Sequence, residues 1–186
     1  MNVNKWGPGG WTFLHTITFN YPLEPDNDDK NRYKFFFSSV SEMLPCKYCR
    51  DSFKTYIKFI PIDEFLESRI GVTYWLYRIH QLVDEKVFKK NDSFENVIRK
   101  YENFRAKCGK VSIDEDKDKQ YKSCQKNVNL IDVNYLNDFL EKSYKFKLIF
   151  DKKAQKLYES NENPNKEYLE YIKKNTGKNK IKITYS

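Results

Sequence analysis

Apolar residues recur at helical spacing through most of this chain, in segments that end at prolines or glycines. Residues three, four and seven positions apart share one face of an α-helix, so this spacing predicts amphipathic helices. We expect them at residues 8–21, 29–44, 45–59, 63–90 and 92–108. Helices that are joined by short loops pack into bundles. The expected fold class is therefore mainly α, a four-helix bundle with a short fifth helix.

Residues that start or stop helices set these expected boundaries. Pro8 suits the first turn of a helix, where a missing N–H costs nothing. Gly71 is a candidate break within the fourth helix. Asp92 and Glu95 have the spacing of a capping box, with Asp in place of the usual Ser or Thr. Gly109 is a natural stop for the fifth helix, whose apolar face includes Phe94, Val97, Ile98, Tyr101, Phe104 and Cys108.

The pattern changes near residue 127. Leu136 and Phe139 favour a helix, and residues 166–174 favour another. Residues 144–150 and 180–185 instead alternate apolar and polar side chains, which is typical of strands. Two strands do not make a stable sheet by themselves, so they would need support from helices or a partner.

The same change of pattern suggests a division of the chain. We expect a helical domain at residues 1–126 and a small C-terminal accessory module at residues 127–186. The module is expected to be either helical or mixed α/β. Its function is not indicated by its residues.

Pro45-Cys46-Lys47-Tyr48-Cys49 places two cysteines at the start of the third expected helix. Positions i and i+3 lie on one helix face, so the two sulfurs can meet in one small disulfide. The N-terminal end of a helix carries partial positive charge, which lowers the pKa of a nearby thiol. The pair is therefore a candidate redox dithiol.

Three chemistries compete for Cys46 and Cys49. A structural zinc site needs four ligands at fitting spacing, but the chain has one C-x-x-C and two histidines on different expected helices. A thioredoxin-like fold places its C-x-x-C after a β-strand, whereas helices are expected on both sides here. The third chemistry is a helical dithiol that passes electrons to a bound cofactor. The residues count against zinc and against a thioredoxin-like fold but do not by themselves indicate a cofactor, so the three chemistries stay open at this point. We expect no metal site.

Cys108 and Cys124 enclose a polar, charge-rich segment of about 15 residues. A disulfide that closes a loop of this length adds roughly 3 kcal/mol of stability in the chain-entropy model. We expect this pair to be a structural disulfide in an exposed loop.

The formal net charge is +8, with acidic residues interspersed among the lysines and no arginine-rich stripe. Such a balance allows weak attraction to anionic surfaces but does not indicate specific nucleic-acid binding. No apolar run reaches membrane-spanning length, and the first eleven residues lack a signal-peptide core. We therefore expect neither a nucleic-acid partner nor a membrane partner.

Three motifs occur in order between residues 6 and 89. They are Trp6-Gly7-Pro8-Gly9-Gly10-Trp11-Thr12-Phe13-Leu14-His15, Pro45-Cys46-Lys47-Tyr48-Cys49, and Trp75 followed by His80-Gln81-Leu82-Val83-Asp84-Glu85-Lys86-Val87-Phe88-Lys89. Together they resemble the W-x-x-L-H, P-C-x-x-C and W-x-x-x-x-H-N-x-V-N-x-x-L-x-K stretches of the Erv/ALR FAD-linked sulfhydryl oxidases, especially the branch of large nucleocytoplasmic DNA viruses. Cys108 and Cys124 resemble the second, widely spaced pair of that family. Gln81 and Asp84 stand where the family usually has asparagines.

The resemblance implies an FAD-dependent thiol oxidase. Such an enzyme forms protein disulfides and reduces O2 to H2O2 through a redox disulfide next to the flavin, here Cys46–Cys49. By the same resemblance Cys46 is the outer, substrate-facing sulfur and Cys49 is the inner, flavin-facing one. The helical bundle would bind FAD, and the residues expected to contact it are Gly7, Trp11, His15, Tyr48, His80, Asp84, Lys86, Lys89 and Tyr101.

The resemblance also implies partners and a location. A homodimer through the first helices is expected, with O2 as the electron acceptor. The thiol partners would be dithiol protein substrates or a small dithiol shuttle protein, because the chain carries no second C-x-x-C. The viral branch implies the host cytoplasm at the virus assembly site, or the virion. The competing function class is a non-enzymatic helical scaffold in which both cysteine pairs are structural.

Overall fold

The computed structural model describes residues 1–104 and 133–175, and this part of the chain contains helices and no strand. The mainly helical fold class that the sequence predicts is confirmed. The helices are α1 (Val3–Phe19), α2 (Asn27–Met43), α3 (Lys47–Phe59), α4 (Arg69–Lys86), α5 (Phe94–Glu102), α6 (Val133–Glu159) and α7 (Lys166–Asn175), and a 3-10 turn (Ile62–Phe65) lies between α3 and α4.

Short polar side chains start the first five helices. Each one accepts a hydrogen bond from a backbone N–H in the first turn, which satisfies a group that has no partner within the helix. The residues that do so are Asn2, Asp26, Cys46, Ser68 and Ser93.

Two expected helix starts are wrong for reasons that these caps make clear. Helix α1 begins at Val3 rather than at Pro8, because the side chain of Asn2 accepts the N–H of Asn4 at 3.0 Å; Pro8 lies inside the helix. The expected capping box of Asp92 and Glu95 is also wrong. Ser93 is the N-cap of α5, and its hydroxyl accepts the N–H of Asn96 at 3.2 Å.

The break in the fourth expected helix lies before Gly71 rather than at it. The chain forms the 3-10 turn first, and Ser68 then starts α4. Gly71 is in the first turn of α4, where an added Cβ would lie 2.2 Å from the carbonyl oxygen of Phe65 and 2.8 Å from the ring of Phe146. A glycine is therefore needed for close packing at this point.

Helix α5 is shorter than the sequence predicts. It ends at Glu102, and its buried residues are Phe94, Val97, Ile98 and Tyr101. Phe104 lies beyond the helix and is 51% exposed, so it does not continue the buried stripe. Cys108 lies outside the described residues.

Helix α4 is the centre of the packing and contacts α1, α5, α6, α7 and the 3-10 turn. Trp75 is fully buried in this helix; its Nε1 donates to the carbonyl oxygen of Ile60 at 2.9 Å, and its ring meets that of Phe37 edge to face at 4.9 Å. Trp75 is thus a packing residue that joins α4 to α2 and to the end of α3. The central position of α4 fixes the side chains on its C-terminal half, which belong to the site described below.

The strand predicted at residues 144–150 is wrong, because this segment lies inside the single helix α6. Phe139, Phe146, Phe150 and Leu157 are buried on one face of that helix at intervals of seven, four and seven residues. These intervals keep the four apolar side chains on one helical face. The lysines between the phenylalanines give residues 144–150 their alternation of apolar and polar side chains. The helix predicted at residues 166–174 is confirmed as α7.

The buried residues of α6 belong to the same hydrophobic core as those of α1 to α5. The boundary expected at residue 126 lies outside the described residues, so the division into residues 1–126 and 127–186 stays a prediction. The strand expected at residues 180–185 and the disulfide expected between Cys108 and Cys124 also lie outside them.

Candidate redox site

The two cysteines of the C-x-x-C motif lie at the junction of α2 and α3. Pro45 disfavours a helical conformation at the preceding residue, so α2 ends at Met43 and a new helix begins at Lys47. Cys46 is the N-cap of that helix, and its Sγ accepts the N–H of Cys49 at 3.3 Å. Both cysteines are partly buried free thiols, which is the reduced form of such a pair.

The thiols of Cys46 and Cys49 differ in the direction of their pKa shifts. Hydrogen bonds from the Cys49 thiol and then from backbone N–H groups lower the pKa of Cys46. Burial, followed by the hydrogen bond and the charge of Cys46, raises the pKa of Cys49 to about 11, and the ammonium of Lys86 acts against this rise. The directions of the two shifts make Cys46 the sulfur that loses its proton more readily in the reduced pair.

A cleft of about 600 Å³ lies beside Cys49, between α1, α2, α3 and the end of α4. Cys49 lines this cleft, whereas Cys46 is not among its lining residues. The walls are almost entirely apolar, and among the described lining residues Lys86 is the only charged one. Ligand cavities commonly have volumes of about 300–1,000 Å³ with a few polar groups, so this cleft has the size and chemistry of a binding site.

Four of the residues that the sequence predicts to contact a cofactor line this cleft with Cys49. They are Gly7, Trp11, Tyr48 and Lys86. Lys86 also donates a hydrogen bond from Nζ to the hydroxyl of Ser52, one turn after Cys49 on α3.

A second group of predicted residues forms an aromatic cluster next to the cleft. Trp11 stacks on His80 with ring centroids 3.8 Å apart, and His15 stacks on Tyr101 at 4.8 Å. His15 Nε2 and His80 Nδ1 lie 3.1 Å apart and share a hydrogen bond, in which one of the two nitrogens is the donor. The cluster ties α1 to α4 and α5, and Trp11 belongs to both the cluster and the cleft.

The two histidines of the cluster are neutral near pH 7. Burial is the main cause in both: it lowers the pKa of His80 to about 4 and holds the pKa of His15 well below its usual range. His15 Nδ1 is buried and has no hydrogen-bond partner among the described residues. A nitrogen in that position is available to a bound group.

Asp84 and Lys89 lie at the edge of the cluster. His80 Nε2 is 3.8 Å from Asp84 Oδ2, and the N–H of Lys89 donates to the carbonyl oxygen of Asp84 at 2.8 Å. Burial raises the pKa of the Asp84 carboxyl to about 6, and Lys89 lowers it in part. The nine predicted contact residues thus form two adjoining groups, and their role as cofactor ligands stays a prediction.

Several lining residues were not predicted from the sequence. Helix α2 contributes an apolar wall made by Phe36, Val40 and Met43. The sequence signal for these residues was the apolar stripe of that helix, which predicts burial but not whether the partner is protein or ligand. Trp6 also lines the cleft, and its Nε1 is buried with no acceptor among the described residues.

Two further properties bear on the kind of site. Within residues 1–104 and 133–175, no three His, Cys, Asp or Glu side chains cluster closely enough to hold a metal ion. Over the same ranges, no helix combines the length and the apolar character that crossing a membrane requires.

A pair of free thiols at a helix start, with one sulfur against an apolar cleft in the helical core of the described residues, defines a helical dithiol protein with a candidate ligand site. The profile of the Erv1 / Alr family matches residues 8–102, a span that covers all the predicted site residues except Gly7, Cys108 and Cys124. The chain belongs to this family.

Named relatives and solved structures agree with this assignment. The chain is 36% identical over 103 residues to the probable FAD-linked sulfhydryl oxidase R368 of Acanthamoeba polyphaga mimivirus, covering 55% of this chain and 72% of the relative. It is 31% identical over 88 residues to the mitochondrial FAD-linked sulfhydryl oxidase ERV1 of Saccharomyces cerevisiae, covering 47% of this chain and 46% of that protein.

The FAD binding domain of Erv1 from Saccharomyces cerevisiae superposes with a TM-score of 0.52 at 28% identity. The match covers 54% of this chain and 94% of that domain. The yeast Erv1 core gives the same TM-score at 27% identity, with 54% of this chain and 84% of that structure covered. The chain thus spans most of the mimivirus protein but less than half of the full-length yeast enzyme.

Proposed function

We propose that this chain is an FAD-dependent thiol oxidase that forms disulfides in dithiol substrates and passes the electrons to O2. The observation that carries the proposal is the unequal placement of the two cysteines: Cys49 lines the cleft, and Cys46 lies outside it on the same helical turn. Membership of the Erv1 / Alr family supports it, as do relatives that are named FAD-linked sulfhydryl oxidases.

The residues around the cleft fit FAD. A planar flavin ring suits nearly apolar walls, and Lys86, the charged residue among the described lining residues, is complementary to an anionic pyrophosphate. The buried Nε1 of Trp6 supplies a free donor to a bound group. We assign the cofactor to the cleft and to the adjoining cluster, held by Gly7, Trp11, His15, Tyr48, His80, Asp84, Lys86, Lys89 and Tyr101.

Thiol oxidation begins at Cys46 in this proposal. A substrate thiolate attacks the Sγ of Cys46 in the Cys46–Cys49 disulfide, the S–S bond breaks, and Cys49 leaves with the electron pair as a thiolate. A second substrate thiolate then attacks the mixed disulfide, which releases the oxidised substrate and leaves Cys46 as the second thiolate. The lowered pKa of Cys46 favours this departure, because a sulfur of lower pKa is a better leaving group.

Bound FAD supplies a two-electron acceptor that O2 reoxidises, so that two substrate thiols and O2 yield one disulfide and H2O2. The protein has to present Cys49 to the cleft without its proton. Burial opposes this, and Lys86 is the residue that lowers the pKa of Cys49. The neutral His15 and His80 add no positive charge to the aromatic end of the site near pH 7.

The proposed partners follow from the same site. Dithiol proteins, or a small dithiol shuttle protein, would reach Cys46 at the protein surface. A homodimer through the first helices is supported by an apolar side chain that α2 exposes and that is not part of the cleft lining, Phe35 at 74%. The relative from a mimivirus supports a location in the host cytoplasm or the virion.

The absorption spectrum of the purified protein separates the oxidase from the helical scaffold. The oxidase is expected to be yellow as isolated, with flavin released on denaturation, and to consume O2 when a small dithiol is added. A fully folded, colourless protein that does not take up added FAD would contradict the proposed function and favour the scaffold.

A further inference from the structure

Asn165, at the start of α7, joins two helices of the redox site. It is 1% exposed, and its Oδ1 accepts the hydroxyl of Tyr56 of α3 at 2.6 Å. Its Nδ2 donates to the carbonyl oxygen of Leu82 of α4 at 2.8 Å and to Glu85 Oε2 at 3.2 Å. The hydroxyl of Tyr56 also lies 3.3 Å from the same Leu82 carbonyl. One buried side chain thus closes a link between α3 and α4.

The link lies on the helical turn that carries Lys86. In an α-helix the carbonyl of residue i accepts the N–H of residue i+4, so the carbonyl of Leu82 belongs to the turn that ends at Lys86. On the other side of the link, Tyr56 is seven residues after Cys49, two turns along the same face of α3. Asn165 therefore connects the helix of the redox pair to the turn of Lys86.

Two further contacts hold the same end of α4. Glu85, next to Lys86, is 5% exposed, and its Oε2 also accepts the hydroxyl of Tyr158 from α6 at 2.8 Å. Phe88, just beyond the helix, has a φ of +57°, which costs free energy for a residue with a large side chain. Its ring packs against Tyr168 and Tyr171 of α7, and such contacts offset that cost.

The position of Lys86 matters because few groups act on Cys49. Among the described residues, the titratable side chains that act on the sulfur are Cys46, at the start of α3, and Lys86 of α4, whereas α1 and α2 present apolar residues to the cleft. Lys86 is the cation among them, and its Nζ also donates a hydrogen bond to the hydroxyl of Ser52 of α3. A small movement of α4 relative to α3 would take the ammonium away from the sulfur.

We propose that Asn165 is a positioning residue for thiol oxidation, which locks α4 against α3 so that Lys86 stays beside Cys49. The inference rests on the proposed function for its purpose, but its geometric content concerns only this chain. It gives the α7 segment a part in the redox site, although the segment lies outside the part of the chain that the family profile matches.

The test measures the pH at which Cys49 becomes reactive. In a Cys46→Ser background, the reduced protein is alkylated with iodoacetamide over a range of pH, and the Cys49 peptide is quantified by mass spectrometry. Tyr56→Phe and Asn165→Ala are expected to raise the midpoint by about 0.5–1 pH unit, which makes alkylation roughly three- to tenfold slower below the midpoint. Tyr56→Phe removes one hydroxyl and keeps the test valid if Asn165→Ala does not fold.

A double-mutant cycle shows whether the effect passes through Lys86. In a Lys86→Met background, Tyr56→Phe is expected to cause no further shift, because the cation that it would displace is absent. Tyr158→Phe is the matched control: it removes a partly buried tyrosine hydroxyl that joins Glu85 of α4 to α6 rather than to α3, and it leaves the hydrogen bonds among Tyr56, Asn165 and Leu82 in place. It is expected to leave the midpoint unchanged.

Three outcomes would overturn the inference. They are an unchanged midpoint in Tyr56→Phe, a shift that persists without Lys86, and an equal shift in Tyr158→Phe, which would indicate general loosening. Flavin content, read from the same samples, keeps the two proposals apart. Absence of flavin would refute the oxidase but not the positioning of Lys86, and bound flavin with no midpoint shift would refute the positioning alone.

Discussion

Lys86 is the cation that lowers the proton affinity of Cys49. Burial raises the pKa of Cys49 to about 11, and the ammonium of Lys86 lowers it. Lys86→Met is expected to shift the pH profile of cofactor reduction upward by about one unit, because a thiolate is needed and each unit corresponds to a tenfold change in its population. Stopped-flow reduction by a small dithiol over a range of pH measures this shift.

Lys54→Met is the matched control for that experiment. Lys54 is on α3, as Cys49 is, but it pairs with Glu42 at the surface. Its removal is expected to leave the pH profile in place. Equal profiles for Lys86→Met and the unmodified protein at full flavin content would show that Lys86 does not act on Cys49.

Asp84 is partly buried, and its burial has a cost that depends on pH. The folded protein raises the pKa of Asp84 to about 6, above its value of about 3.9 in an unfolded chain. A raised carboxyl pKa means that the folded state keeps a proton that the unfolded state loses. The contribution of the Asp84 carboxyl to the stability of the fold is therefore full below about pH 4 and is lost as the pH rises through about 6.

Asp84→Asn is therefore expected to increase the free energy of unfolding at pH 7 by about 1–3 kcal/mol, with a smaller gain at pH 4.5. Urea unfolding at the two pH values, at equal cofactor occupancy, measures the difference. Asp51→Asn is the control, because Asp51 is exposed and paired with Lys47, and it should give no gain. A loss of stability at pH 7 in Asp84→Asn would mean that the carboxylate is favourably bound in the fold.

Single residues of the site were predictable from the sequence where they carry motif chemistry. Cys49 and Lys86 line the cleft, and the two histidines lie 3.1 Å apart in the cluster next to it, whereas Cys46 is not among the lining residues. The contacts of Asn165 were not predictable. A lone asparagine more than 100 positions after Tyr56 in the chain gives no pattern, and only the folded structure brings the two side chains within 2.6 Å.

At the scale of helices, periodicity predicted which segments are helical better than it predicted where they begin. Pro8 and Asp92 look like the starts of α1 and α5 in the sequence. In the structure the side chains of Asn2 and Ser93 accept the N–H groups of the first turns instead. Local propensity cannot choose between neighbouring polar caps, because each satisfies the same kind of orphan donor. Helix α6 was partly mistaken for a strand because lysines separate its core-facing phenylalanines.

The substitution Gly71→Ala tests how closely α4 packs against the 3-10 turn. A Cβ at this position would lie 2.2 Å from the backbone oxygen of Phe65. Because backbone atoms do not move aside cheaply, Gly71→Ala is expected to cost about 1–3 kcal/mol or more. Urea unfolding of the variant measures the loss.

Gly9→Ala is the control on α1. An added Cβ there meets nothing within 4 Å, and alanine is the better helix former by about 1 kcal/mol. A neutral or stabilising effect is expected. Equal effects of the two substitutions would contradict the close packing at Gly71.

At the scale of the whole molecule, α6 shares one core with the helices that carry the site. The chain contains three tryptophans, Trp6, Trp11 and Trp75, all of which lie in α1 or α4. Their fluorescence therefore reports on α1 and α4, two of the helices that carry the site. A substitution in α6 that changes this signal would show that the two regions unfold together.

Phe150→Ala is the substitution that tests this coupling. Phe150 is fully buried against Phe65 and Arg78, and truncating a buried phenylalanine costs about 3–5 kcal/mol. The tryptophan-reported urea midpoint is expected to fall accordingly. Leu148→Ala, on the same helix but 55% exposed, should leave it unchanged. An unchanged midpoint in Phe150→Ala would indicate that α6 unfolds independently of α1 and α4.

The most direct test of the proposed oxidase is anaerobic reduction of the flavin by a small dithiol in the wild-type protein and in Cys49→Ser. Both proteins are expected to bind FAD, because serine changes one atom of the cleft wall. The visible flavin band should bleach rapidly in the wild type and stay unbleached in Cys49→Ser, since electrons then have no sulfur that lines the cleft. Equal bleaching in the two proteins would contradict the central role of Cys49.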